Sequence, residues 1–203
     1  VSTALHMWKN SGWIGVDLFF VLSGFLVSSL LFSEYKTYGT IDPRRFFIRR
    51  GLKIYPGFYF LCIVSMIYFT IFNYEVPGLY VISELFFIQN YTNVQFWDHT
   101  WSLAVEEHFY LFLGVLLWIM ARQKGGNPFR ATPLIFFAVA AFCLMARYLT
   151  VFNQTSIKLF AVQTHLRMDT LFFGVLLSYM HHLHGPTIRA CVVAHRRLLI
   201  EGS

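Results

Sequence analysis

The segment Gly15-Val-Asp-Leu-Phe-Phe-Val-Leu-Ser-Gly-Phe-Leu26 sets one carboxylate and a Ser-Gly pair inside a hydrophobic run long enough to cross a bilayer. From Trp13 to Ser33 only Asp17 is ionisable, and about 20 mostly apolar residues suffice for a transmembrane helix. A charge in hydrocarbon is unfavourable, which makes Asp17 a candidate functional group. Asp17, Gly24 and Ser28 recur at i, i+7 and i+11. They therefore share one helical face, a stripe of small residues suited to close helix packing. Two meanings are open for Asp17: an orienting or catalytic carboxylate, or the partner of a basic residue near the membrane edge.

The rest of the chain supports a polytopic membrane protein. Its 203 residues are 57% hydrophobic but 13% charged, against about 25% charged in ordinary soluble domains. The fold class expected is an all-α transmembrane bundle, a single domain over 1–203. Four spans stand out, Trp13 to Ser33, Ile54 to Phe72, Trp101 to Ala121 and Pro133 to Phe152, with a shorter fifth from Met168 to His184. The net charge of +6 comes from basic residues clustered between these runs, where membrane orientation accounts for them; nucleic acid is not an expected partner. Cys62 and Cys143 lie in apolar runs and Cys191 in the basic tail, with no C-x-x-C spacing, so no disulfide is expected. No internal repeat is visible. The chain begins at Val1 and shows no cleavable leader, which leads us to expect a segment cut at both ends.

Lys36, Arg44, Arg45, Arg49, Arg50 and Lys53 lie between the first two spans, and Arg122, Lys124 and Arg130 follow the third. Both stretches should be cytoplasmic, and the tail carrying Arg189, Arg196 and Arg197 with them. The number of crossings between them must then be even, yet three hydrophobic segments intervene. Leu79 to Tyr91 is too short for a span and contains Glu84, so it is read as interfacial or re-entrant. This topology gathers Asp17, Glu106, Glu107, Arg147, His165 and Arg167 towards the opposite face.

Several of these residues could carry chemistry. Glu106 and Tyr110 lie at i and i+4, while Glu107 is turned about 100° away, so Glu106 is the carboxylate expected to enter a shared cavity. A structural ion pair between helices is the bland alternative. His165 and Asp169 share a face if a helix already begins there, with Arg167 opposite. His181, His182 and His184 invite a metal reading, but zinc wants about four ligands in defined geometry; no metal is expected, and a solvated helix end is the plainer meaning. Arginine forks bind phosphate at two points, so Arg49, Arg50 and Lys53 could dock a phosphate-bearing ligand as well as anionic lipid head groups. Tyr55-Pro56 is read as the opening of the next helix, where proline is tolerated.

Three words in order, Ser23-Gly24-Phe25, Phe46-Phe-Ile-Arg-Arg-Gly-Leu-Lys-Ile-Tyr-Pro56 and Thr100-Trp-Ser-Leu-Ala-Val-Glu-Glu-His-Phe-Tyr110, resemble the acyltransferase-3 family of integral membrane O-acyltransferases. His165-Leu-Arg-Met-Asp-Thr-Leu-Phe-Phe-Gly174 is a further, less specific likeness. The resemblance implies transfer of an acyl group, often acetyl, from cytoplasmic acyl-CoA to a hydroxyl of a sugar, cell-surface glycan or lipid-linked acceptor, in a bacterial inner membrane. Acyl-CoA would be a co-substrate, with no bound cofactor. Glu106 and Asp17 are then the catalytic candidates. Ser23, Arg49, Arg50, Lys53, Trp101, Ser102, Tyr110, His165, Arg167 and Asp169 are the substrate-binding ones. Ser23 could also be a covalent relay, although Ser-Gly is a common packing pair. The family likeness further implies a catalytic histidine on the helix before the Gly15 word, with an arginine some turns earlier. Here His6 precedes a polar Lys9-Asn10-Ser11-Gly12 stretch expected to be a loop, and no arginine precedes it. The principal base is therefore expected upstream, and this segment alone should be inactive.

The rival class is a transporter or flippase of lipid-linked or sugar substrates, since intramembrane charges also mark transport paths. A non-catalytic membrane partner is a third class, disfavoured by the retained Asp17, Glu106, Arg167 and Asp169. The topology has a direct test: in a cysteine-free background, single cysteines at Thr40 and Asn127 should be labelled from the same side of the membrane. Labelling from opposite sides would overturn the assignment.

Overall fold

In the computed structural model, residues 2–92, 97, 100–123, 125–152 and 162–183 are described, with side chains from Ile14 onward. The chain is all-helical there: α1 (Ser2–Tyr38), α2 (Pro43–Ile71), α3 (Gly78–Leu85), α4 (Gln89–Thr92), α5 (Thr100–Ala121), α6 (Thr132–Phe152) and α7 (168–183), with a 3-10 turn at Thr164–Leu166 before α7. Four of these, α1 from Ile14, α2, α5 and α6, are long and apolar enough to cross a membrane.

Helix α5 is central. Of its 22 residues 12 are buried, at a helical spacing through Trp101, Val105, Phe109, Leu113, Leu117 and Met120, whereas α6 buries only Thr132 and Cys143 of its 21. Around α5 the core joins Phe20, Val27, Leu31 and Phe32 of α1 to Leu171, Phe172, Val175 and Tyr179 of α7. Helices α1, α5 and α7 run parallel. Phe20 meets Trp101 edge-on at 6.0 Å near one end, Ser29 bonds Ser178 at 2.8 Å, and Phe32 packs on Tyr179 near the other end. Helix α2 runs against α5, with Phe46 beside Gly114, Arg50 over Tyr110 and Tyr55 bonded to Glu107. Phe129, in the connection after α5, packs on Phe32 and Tyr35 at 5.0 Å each. The two basic connections thus lie at one end of the bundle.

The α1–α7 contact allows no side chain at its crossing. A Cβ on Gly24 would overlap the Leu171 carbonyl, and one on Gly174 would overlap the Val21 carbonyl and the Phe25 amide nitrogen. Two glycines facing each other's backbones are the membrane solution for close helix approach.

The short segment between α2 and α5 does not cross. A helix of eight residues such as α3 rises about 12 Å, against about 30 Å of hydrocarbon. Phe87, at φ 58°, turns the chain between α3 and α4. Thr100 donates to Glu84 Oε1 at 2.9 Å and Asn90 Nδ2 to the Trp101 carbonyl at 3.0 Å, which tie the segment to the start of α5.

Four expectations need correction. The basic stretch is not a long loop: Asp42 accepts from the Arg44 and Arg45 amides at 3.0 and 3.3 Å, Pro43 takes the first helical position, and α2 begins there. Pro56 consequently lies well inside α2 and does not open it. Membrane helices tolerate this because nearby groups re-satisfy the freed backbone. Lys9 to Gly12 is helical backbone in α1, since no proline interrupts Ser2 to Tyr38. His165 belongs to the 3-10 turn and not to α7, so it does not share an α-helical face with Asp169.

Substituting Gly24 by alanine should wedge α1 from α7 and destabilise the bundle by about 1–3 kcal/mol, the usual range for overpacking. Gly57, whose Cβ would meet nothing within 4 Å, is the control: Gly57→Ala should be neutral. Thermal unfolding of the detergent-solubilised protein compares the two.

Candidate active site

The ionisable residues separate into two clusters. The first lies where α1, α6 and α7 meet. Arg167 Nη1 pairs with Asp17 Oδ1 at 2.9 Å, and Arg147 Nη2 with Asp169 Oδ1 at 2.6 Å. Arg147 also donates through Nε to the Leu166 carbonyl at 2.9 Å, and the Cys143 thiol donates to the His165 carbonyl at 3.2 Å. Asp17 is thus the ion-pair partner of a residue at the start of α7. These bonds fix the chain entering α7 before Gly174 reaches α1. The His165 ring stacks on Tyr91 at 6.0 Å, and burial lowers the pH at which it protonates.

The second cluster surrounds α5 deeper in the bundle. Glu106, only 5% exposed, faces the hydroxyls of Ser23 and Tyr110. Those hydroxyls bond each other at 2.6 Å, and the Arg50 guanidinium lies 4.4 Å from the Tyr110 ring centroid. Glu106 Oε1 has no hydrogen-bond partner within the protein. Glu107 is equally buried but turned aside, where Tyr55 donates to its Oε2 at 3.1 Å and its Oε1 likewise has no partner. Ser23 is paired with a phenol rather than a histidine base, the arrangement of a positioning group rather than of an activated nucleophile.

A cavity of about 1250 Å³ connects this cluster to the first turns of α2, and Ser23, Glu106, Tyr110, Arg45, Arg49, Arg50 and Lys53 are among its lining residues. Arg45, Arg49 and Lys53 are exposed, whereas Arg50 is half-buried. Asp17, Trp101, Ser102, His165, Arg167 and Asp169 do not line it. Trp101 packs edge-on against Phe20, and Ser102 sits half-buried in the first turn of α5. His182 lines the cavity near the end of α7, between exposed His181 and Leu183, while His184, Cys191 and the basic tail fall outside the described residues.

Two participants escaped the sequence reading. Tyr55, taken as a helix opener, is the partner of Glu107, and His108 Nδ1 bonds Thr164 Oγ1 at 2.9 Å, with Asn90 Nδ2 3.3 Å from the same hydroxyl. The signal for the first was Asp42-Pro43: a helix begun there holds Tyr55 well inside α2, where its phenol reaches Glu107 of α5.

The acyltransferase domain model of the acyltransferase-3 family matches residues 1–192. This chain belongs to that family. The O-acetyltransferase OatA of Staphylococcus aureus strain NCTC 8325 is 31% identical over 192 residues, covering 85% of this chain and 31% of the relative. OatA of strain COL gives the same values. The chain thus spans about a third of the length of these relatives. No solved structure matches. Family membership and the four long apolar helices identify an integral membrane protein.

The His165 environment predicts an acid sensitivity. A histidine held neutral in the fold binds its proton more readily when unfolded, so its contribution is absent above roughly pH 6.5 and destabilises as pH falls below that value. His165→Phe keeps the stack on Tyr91 and should lose less thermal stability between pH 7.5 and 5.5 than the parent. Equal losses in both proteins would show that His165 does not contribute.

Proposed function

We propose that the protein is a membrane O-acyltransferase that moves an acyl group, acetyl in the first instance, from acyl-CoA to a hydroxyl of a sugar, cell-surface glycan or lipid-linked acceptor. The observation that carries the reading is the single cavity joining a buried carboxylate with an unpartnered oxygen to a rim of exposed cations. The name of the relatives, O-acetyltransferase, supports acetyl.

Arg49 and Lys53 at the rim suit the phosphates of coenzyme A, and the thioester would extend inward towards Glu106. An acceptor hydroxyl would donate to Glu106 Oε1 and be oriented there, with the hydroxyls of Ser23 and Tyr110 beside the carboxylate. Attack of that oxygen on the thioester carbonyl forms the ester and releases the coenzyme A thiolate. The proton passes to the histidine base that the family likeness implies, and from it to the thiolate. In this reading Asp17 acts through Arg167, by holding the start of α7. The setting is a bacterial inner membrane with the basic end of the bundle in the cytoplasm.

Glu106→Gln keeps the shape and removes the charge. In the full-length protein it should lower acyl transfer by about a hundredfold or more, while a folded, membrane-inserted bundle remains. Glu107→Gln should be milder. Near-normal transfer by Glu106→Gln, measured with radiolabelled acetyl-CoA, would remove Glu106 from the mechanism.

A further inference from the structure

The basic segment of α2 does not act as one group. Arg45, Arg49 and Lys53 are exposed, but Arg50 follows Phe46 on the stripe that faces α5 and is half-buried over Tyr110, itself 4% exposed. Two buried carboxylates flank that position. Arg50 lines the same cavity as Glu106, and its guanidinium lies 4.4 Å from the ring centroid of Tyr110, one helical turn from both glutamates. Arg147 pairs with Asp169 and Arg167 with Asp17, and neither pair includes Arg50, Glu106 or Glu107. The groups facing the glutamates are hydroxyls: Ser23 from α1, Tyr110 within α5, and Tyr55 from α2. Hydroxyls stabilise a carboxylate by hydrogen bonding but do not neutralise it, and a buried charge without a countercharge is strongly unfavourable.

We propose that Arg50 is the shared countercharge of Glu106 and Glu107, a positioning residue that holds Glu106 and the Tyr110 phenol in place and does not bind donor phosphates. The step beyond charge balance, its effect on turnover, rests on the acyl-transfer reading above. The guanidinium suits this task because its planar face lies on the Tyr110 ring while its permanent charge acts on the carboxylates through the low-dielectric interior, without an ion pair to either. Lysine would retain the charge but lose the planar stack. Arg49, one residue earlier and turned about 100° around the helix, keeps the donor role at the rim.

The experiment uses the full-length protein and two readouts. In kinetics with acetyl-CoA, Arg50→Gln should lower kcat on the order of a hundredfold with KM for acetyl-CoA essentially unchanged, and Arg50→Lys should recover part of kcat. Arg49→Ala should do the opposite, raising KM and sparing kcat. Thermal unfolding gives the readout independent of acyl transfer: Arg50→Gln should lower Tm by stranding buried negative charge, and the double variant Arg50→Gln/Glu106→Gln should regain much of that loss. A Tm that the double variant does not recover would overturn the countercharge assignment whatever the enzyme's substrate. A raised KM with intact kcat in Arg50→Gln would return Arg50 to the donor phosphates. Recovery of Tm without any acetyl transfer by the parent protein would preserve the countercharge and count against the acyl-transfer reading alone.

Discussion

The crossing of Gly24 and Gly174 governs the rest of the molecule. Because each glycine lies against the other helix's backbone, α1 and α7 are held at a separation that no side chain could share. That contact sets the register in which Ser29 meets Ser178 and Asp17 meets Arg167. It also turns the neighbouring Ser23 towards Tyr110, so that a hydroxyl of α1 and a hydroxyl of α5 meet at 2.6 Å. A hydrophobic effect cannot supply this precision within lipid, where helix surfaces and solvent are alike in polarity; close packing and a few polar contacts do so instead.

Charge is handled in two ways at two depths. Near the start of α7 both acids have their own arginine, and the Arg147 pair is reinforced by the Leu166 carbonyl. These pairs hold structure. Around α5 the carboxylates are more deeply buried and surrounded mainly by hydroxyl groups. Glu106 Oε1 and Glu107 Oε1 are both left unpartnered there, which stability explains poorly, since satisfied carboxylates would be the more favourable arrangement. Reactive sites accept such local penalties when the surrounding packing is strong enough to maintain them.

Much of this was legible in the sequence. Four of the five expected spans match helices long and apolar enough to cross, the described α7 falling short of that length, and the eight-residue α3 agrees with reading its segment as non-crossing. Glu106 and Tyr110 were paired by helical spacing alone. What failed was local. Pro56 suggested a helix start because proline favours that position in water, yet α2 had already been nucleated by Asp42 and Pro43 and ran through it. With the helix start displaced, the half-buried position of Arg50 over Tyr110 was not foreseen. The His165 turn was missed for a related reason: a 3-10 turn ahead of a helix has a different angular period, so i, i+4 reasoning does not apply across the junction.

Helix α6 shows what the opposite of a glycine crossing looks like. With two buried residues among 21, most of its positions answer to a requirement for oiliness rather than to a particular neighbour. Leucine, phenylalanine, valine and methionine are close to interchangeable under such a requirement. Likeness between two proteins across such a helix therefore reports a common medium more than a common descent, and the letters that identify this chain are concentrated in the short stretches where backbones touch and charges meet.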